Sequence, residues 1–135
     1  MKPTLAPGVA HKRSVTVDRA RTIDFMGEEL RVYATPELVR DIEVTCRELL
    51  LQHIDAGEDS VGTHVDVHHT GATLLGMPVE VTATIAGVKG RLVTFEVTAK
   101  DSVEQVAHGR HTRFVVDVAK TAERLAAKAA KAKEQ

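Results

Sequence analysis

The sequence predicts an α+β domain in which one long apolar helix lies across the concave face of a curved, five-stranded antiparallel sheet, with a helical tail at the C-terminus. Three observations carry this reading. A single segment, Thr35 to about Asp55, repeats its apolar residues at the helical period and is apolar around most of its circumference. One segment before it and four after it are valine-rich or alternate, as strands do. A sheet that buries one face needs a cover, and this is the one long apolar helix available.

The first ten residues, with Pro3, Pro7 and Gly8, form an irregular lead-in to a first strand over His11–Asp18. Thr35 is a good helix N-cap, Pro36 suits the first helical position, Glu37 favours the positive helix end, and Gly57 is a plausible stop. At 100° per residue, Leu38, Leu49, Ile42, Cys46, Val39, Leu50 and Ile54 share an arc of about 160°. Asp41, Glu48 and Gln52 share a narrow polar stripe. Val61–Thr70 then reads as a strand with Val61, Val65 and Val67 on one face. Pro78–Ala86 and Arg91–Asp101 alternate cleanly and are joined by a hairpin at Gly87-Val88-Lys89-Gly90. Val103–Val118 is long and mixed on both faces, as a central or bulged strand is. Strand, helix and antiparallel meander together make one domain over residues 1–120. Residues 121–135 close the chain as an Ala/Lys-rich basic tail of strong helix formers.

The composition narrows the function classes. At 135 residues the chain can bury one core. Three Phe, one Tyr and no Trp leave valine and alanine to fill that core, which favours strands and predicts a small core that gains from a partner surface. The lone Cys46 excludes an internal disulfide and a cysteine-rich metal site, and a reducing, cytoplasmic compartment is expected. A net charge of −1 gives no general attraction to nucleic acid. No run of eighteen apolar residues and no signal-peptide pattern occur, so no membrane role is expected. The tail from Ala119 on carries +3 and reads as a solvated helix.

Three residues break the pattern. Glu43 falls between Leu50 and Ile54 on the wheel, at the edge of the apolar arc. A carboxylate held there is desolvated and suited to exchanging protons near neutrality; alternatively it pairs with Arg47 at i+4 or Arg40 at i−3. His69 shares strand parity with Val65 and Val67 and points to the core side, whereas His68 points away; it is either chemical or a buried, hydrogen-bonded histidine. Arg113 lies in the last strand, where it can clamp an anionic group or form a surface pair. Metal binding is not expected. His64 and His68 share a face but stand roughly 13 Å apart along a strand, and no metal-ligand, nucleotide-loop or serine-elbow motif occurs.

The segments bearing these anomalies resemble those of the hotdog-fold thioesterases, and within them the small fluoroacetyl-CoA thioesterase family. The matching stretches are Val32-Tyr33-Ala34-Thr35 with Glu43 eight residues on, Ser60-Val61-Gly62-Thr63, Val67-His68-His69-Thr70-Gly71-Ala72-Thr73, and Gly109-Arg110-His111-Thr112-Arg113, covering about residues 10 to 120. The resemblance implies a hotdog fold and a catalytic group of Thr35, Glu43 and His69. It places Gly62 at the substrate carbonyl and Arg113 near the site, both as substrate-binding residues. It implies an acyl-CoA substrate, no cofactor apart from the coenzyme A of that substrate, and a homodimer binding substrate at the subunit interface, with further pairing into tetramers left open. Family members selective for fluoroacetyl carry aromatic residues just before the V-x-A-T segment, as a lid. Here Gly27-Glu28-Glu29-Leu30-Arg31 has none, so a different short acyl group is expected.

Hydrolysis of a thioester needs a nucleophile, a base and donors for the developing oxyanion. In this reading Glu43 attacks or orients water, His69 is the base, Thr35 hydrogen-bonds Glu43 or the substrate, and backbone N–H groups such as that of Gly62 hold the oxyanion. Eight helical residues span about 12 Å, so either Thr35 folds back from its cap or one site mixes residues of two chains. The alternatives are a hotdog hydratase or dehydratase of acyl thioesters, and a non-catalytic acyl-CoA-binding protein.

Overall fold

The structure is a computed structural model describing residues 1–134. Its elements are β1 (Ala10–Thr16), β2 (Thr22–Ile23), β3 (Val32–Tyr33), α1 (Thr35–Leu51), β4 (Glu58–His69), β5 (Pro78–Lys89), β6 (Leu92–Lys100), β7 (Gln105–Asp117) and α2 (Val118–Lys133). The five long strands form one antiparallel sheet in the order β1-β5-β6-β7-β4, and β2 and β3 pair as a short ribbon. The alternation of β5 and β6 is realised on the inner face, where Val79, Val81, Ala83, Ile85, Val93, Phe95 and Val97 are buried against Leu38, Ile42, Leu49 and Leu50 of α1. Each such side chain contributes about 1.5–3 kcal/mol by leaving water.

The strands after the helix do not form a simple meander. Only β5-β6-β7 do; β4 pairs with the far side of β7 and becomes an edge of the sheet. Alternation predicts which face of a strand is buried but not which neighbour it takes. The hairpin is also tighter than expected. A register shift between Ile85 and Gly87 keeps β5 in the ladder to Lys89, and Gly90, at φ +61°, makes a two-residue turn with Arg91.

The helix begins one residue earlier than the capping pattern implied. Ala34 is the N-cap and makes no side-chain cap bond, so the Thr35 hydroxyl sits inside the first turn and is free for another partner. The last α-helical residue is Leu51, while Ile54 stays buried beyond it. The polar stripe is covered too: Asp41 is 3% exposed, beneath Arg13 of β1 and Arg21. The C-terminal helix starts at Val118, three residues before the expected boundary, because Asp117 accepts from the Lys120 N–H as its N-cap; none of its residues is buried.

Candidate active site

Two groups of polar side chains stand on the inner side of the sheet. The first gathers at the start of α1. The Tyr33 N–H donates to the Thr73 carbonyl at 2.9 Å, and the Tyr33 hydroxyl donates to Asp41. Asp41 also takes two bonds from Arg21, at 2.9 and 3.1 Å, and one from Arg13 at 3.1 Å. Burial raises the cost of its charge, but Arg21 and Tyr33 outweigh this and hold its carboxyl below the usual range. This cluster fixes the first turn of α1, and with it Thr35. The Thr35 hydroxyl lies 2.7 Å from His69 Nδ1 at the end of β4, and the Tyr33 ring meets the imidazole edge-on.

The other ring nitrogen, His69 Nε2, is buried and has no hydrogen-bond partner. Such an atom carries a desolvation cost that a ligand or second chain would relieve. Burial also pushes the His69 pKa down, the Gly71 backbone opposing it, so the ring is neutral at physiological pH. In the tautomer whose Nδ1–H donates to Thr35, Nε2 presents a free lone pair. The cleft at this end has a volume of about 490 Å³, within the range of small-molecule sites. Thr35, His69, Tyr33 and Pro36 line it, and Phe25 hangs at its rim, 84% exposed.

The second group lies about two turns further along α1. Glu43 faces Arg113 Nη1 at 3.8 Å and His111 Nε2 at 3.9 Å. Gly62 lies directly beneath the carboxylate; a Cβ there would overlap Glu43 Oε1, so only glycine leaves the carboxylate its place. Arg113 is buried, donating from Nε to Ser60 Oγ at 2.8 Å and from Nη2 to the Ser60 carbonyl at 3.0 Å. Burial pushes its pKa down and Glu43 opposes this. A second cleft opens here between Glu43 and Arg40 of α1 and Ser60 and Val61 of β4.

The anomalous residues therefore divide between two places. Thr35 meets His69, and Glu43 meets Gly62 and Arg113, but Glu43 reaches neither Thr35 nor His69. The ion pairs with Arg40 and Arg47 considered for Glu43 do not form, Arg47 binding Asp59 at 2.8 Å instead. Glu43 is still 44% exposed, so the expected desolvation is not provided by this chain alone. His69 points inward and His68 outward, where His68 stacks on His108 with centroids 5.1 Å apart. Val61 does not share a face with Val65 and Val67. An extra residue, Thr63, interrupts the ladder between Gly62 and His64, which turns Val61 outward opposite Phe114 and Gly62 inward opposite Arg113. Among the described residues no three His, Cys, Asp or Glu side chains come together as metal ligands.

Sequence reasoning passed over His111 and Ser60. The signal for His111 is its strand parity. Compared with Arg113 and Val115, it falls on the buried face, and Ser60 opposite Val115 falls there with it.

A helix wrapped by a five-stranded antiparallel sheet, with polar groups along the helix and the edge strand, is the architecture of hotdog proteins. A hot-dog-like protein from Thermanaerovibrio acidaminovorans superposes with a TM-score of 0.83 at 24% identity, over 94% of this chain and 93% of that one. A thioesterase superfamily member from Thermus thermophilus superposes at 0.90 and 26% identity over the whole of both chains. The fluoroacetyl-CoA thioesterase FlK superposes at 0.84 and 29% identity over 92% of this chain and 97% of that one. In sequence, a fluoroacetyl-CoA thioesterase of Streptantibioticus cattleyicolor is 37% identical over 89 residues, which are 66% of this chain and 64% of that protein. The family model described as fluoroacetyl-CoA-specific thioesterase matches residues 17–119, and the chain belongs to that family.

Proposed function

We propose that this protein is an acyl-CoA thioesterase, hydrolysing a short-chain acyl-CoA to the free acid and CoA at sites shared between two copies of the chain. The observation that carries the reading is the buried, unpartnered Nε2 of a neutral His69 held through Nδ1 by Thr35. In the reaction Glu43, directly or through a water it orients, attacks the thioester carbonyl. When water attacks, His69 Nε2 takes its proton and the imidazolium returns it to the departing CoA thiolate as the C–S bond breaks; when Glu43 attacks, the C–S bond breaks as its anhydride with the acyl group forms, CoA leaves as the thiolate, and the water that then cleaves the anhydride gives its proton to His69. Backbone N–H groups at Gly62 stabilise the oxyanion, with Arg113 close by. No cofactor is needed beyond the coenzyme A of the substrate.

The edge strand supports the shared site. β4 pairs only with β7, leaving its other side open along twelve residues, with Val61 and Val65 exposed. An antiparallel, twofold pairing of two β4 strands centred near Val65–Asp66 sets Gly62 of one chain against His69 of its partner. The Glu43 of one chain then meets the Thr35–His69 pair of the other, and the second sheet covers the exposed side of Glu43. The homodimer is the working unit, and a cytoplasmic location fits the single, buried, unpaired Cys46.

The test is release of CoA thiol from a panel of acyl-CoAs. Short acyl groups are expected to be hydrolysed in preference to long ones. Fluoroacetyl-CoA should exceed acetyl-CoA in kcat/KM by no more than roughly 10–200-fold, the scale of small differences in a pocket, because Glu28 and Glu29 stand where a lid needs aromatics. A preference of several orders of magnitude would refute this specificity. Hydration of an enoyl-CoA without thiol release, or acyl-CoA binding without turnover, would replace the hydrolytic reading by a hydratase or a binding protein.

A further inference from the structure

We infer that His111 is a positioning residue, holding Arg113 and through it the Glu43 carboxylate in reactive orientation; this rests on the hydrolytic reading above. The imidazole is 1% exposed, so both nitrogens need partners. Nδ1 lies 2.8 Å from the His64 carbonyl, which can only accept, so Nδ1 carries the proton. Nε2 of the neutral ring is then an acceptor, and Arg113 Nη1 donates to it at 3.2 Å. Arg113 can only donate, so the assignment is consistent from both sides.

The guanidinium is thus held at three points, by Ser60 Oγ, the Ser60 carbonyl and His111 Nε2, all of them neutral acceptors. The carboxylate it faces is Glu43. Phe95 of β6 stacks under the imidazole at 6.3 Å and fixes its plane. The groups around the ring are Arg113 on its own strand, Glu43 on α1 and His64 on β4, while β6 offers only Phe95. A proton on Nε2 would set a cation against Arg113, and the ring stays neutral. Without an acceptor at Nε2 the guanidinium keeps only its two bonds to Ser60 and can tilt about them, which weakens the contact that fixes Glu43 over Gly62.

The experiment compares three variants of the intact protein. His111→Gln places an amide oxygen where Nε2 was. His111→Phe keeps the stack on Phe95 with no acceptor. His111→Asn reaches only the Nδ1 position, keeping the His64 bond. The expected result is a fall in kcat of about 10-fold or more for Phe and Asn, with KM changed less than about 3-fold, and rescue by Gln to within about 3-fold of the original. Folded Phe or Asn variants of undiminished kcat overturn the proposal, as does a Gln variant that falls as far as they do. Failure of the hydrolytic reading shows separately, in the unmodified protein releasing no CoA. Nitrogen NMR then carries the test: a bare Nε2 on His111 whose resonance moves in Arg113→Lys supports the contact, and a protonated Nε2 overturns it.

Discussion

A histidine whose one nitrogen is held by a threonine and whose other is buried and unpartnered titrates below its ordinary value of 6.5, and the sign of the consequence can be worked out. In His69 and in His111 burial penalises the charged form, so each is neutral in the fold and protonates more readily when unfolded. Their contribution to stability is complete above pH 6.5 and is lost as the pH falls through their lowered values. In the proposed hydrolysis activity follows the same direction, because His69 as base must be neutral. The acid limb of kcat/KM is expected below pH 6.5, with a plateau above it, measured across pH 4.5–8 in buffers of constant ionic strength. A limb above 6.5 would mean that His69 is not the desolvated base. His68→Ala, on the outer face, should leave the profile and its height unchanged, while His69→Ala should remove turnover. Both Glu43 and His69 stand out in the sequence as candidates, because each breaks a periodicity: a carboxylate at the edge of an apolar arc, a histidine in a valine register. The partner of each was not legible. That Glu43 faces Arg113 and His111, rather than Arg40 or Arg47 on its own helix, depends on which strand lies beside α1.

At the level of elements, α1 is held to the sheet on two sides by different physics. Its apolar arc packs on β5 and β6, as the sequence period predicts. Its supposed polar stripe is anchored as well, because Asp41 gathers Arg13, Arg21 and Tyr33 around a carboxylate with almost no exposure. Spacing along one helix cannot reveal this, since all three partners come from other segments. Breaking a buried charge cluster by removing one member strands the remaining charges. Asp41→Asn is expected to cost about 3 kcal/mol, the low end for buried pairs because Arg13 and Arg21 keep about a quarter of their exposure. Urea unfolding would measure it, and a loss under about 1 kcal/mol would mark the cluster as an ordinary surface network. The edge strand teaches a related lesson. Its alternation was legible, but the extra residue at Thr63 was not, because a bulge changes facing without changing composition. Without that residue in the count, Gly62 would be assigned to solvent, and it is the bulge that lets Gly62, Val65 and His69 all face inward.

At the scale of the whole molecule, the proposed hydrolysis requires Glu43 and His69 to act together, which one chain does not provide. Both lie on the inner side of the same sheet, yet α1 carries Glu43 about 12 Å from Thr35, and His69 stays with Thr35. The proposed twofold dimer through β4 would bring each Glu43 to the other chain's His69, and this has a quantitative consequence. Glu43→Gln alone should lower kcat by at least about 100-fold, and His69→Ala should do the same. Mixed after unfolding together and refolding at equal amounts, the two variants assort at random, so half of the dimers contain one chain of each kind. In such a dimer one site pairs the two altered residues and is dead, while the other pairs an intact Glu43 with an intact His69. The mixture is expected to recover about a quarter of the unmodified activity per chain, half of the sites in half of the dimers. If each site were built within one chain, every site in the mixture would carry a lesion and no activity would return. Light scattering on the same samples checks the premise, because a stable folded monomer at micromolar concentration would leave no second chain to supply the missing residue.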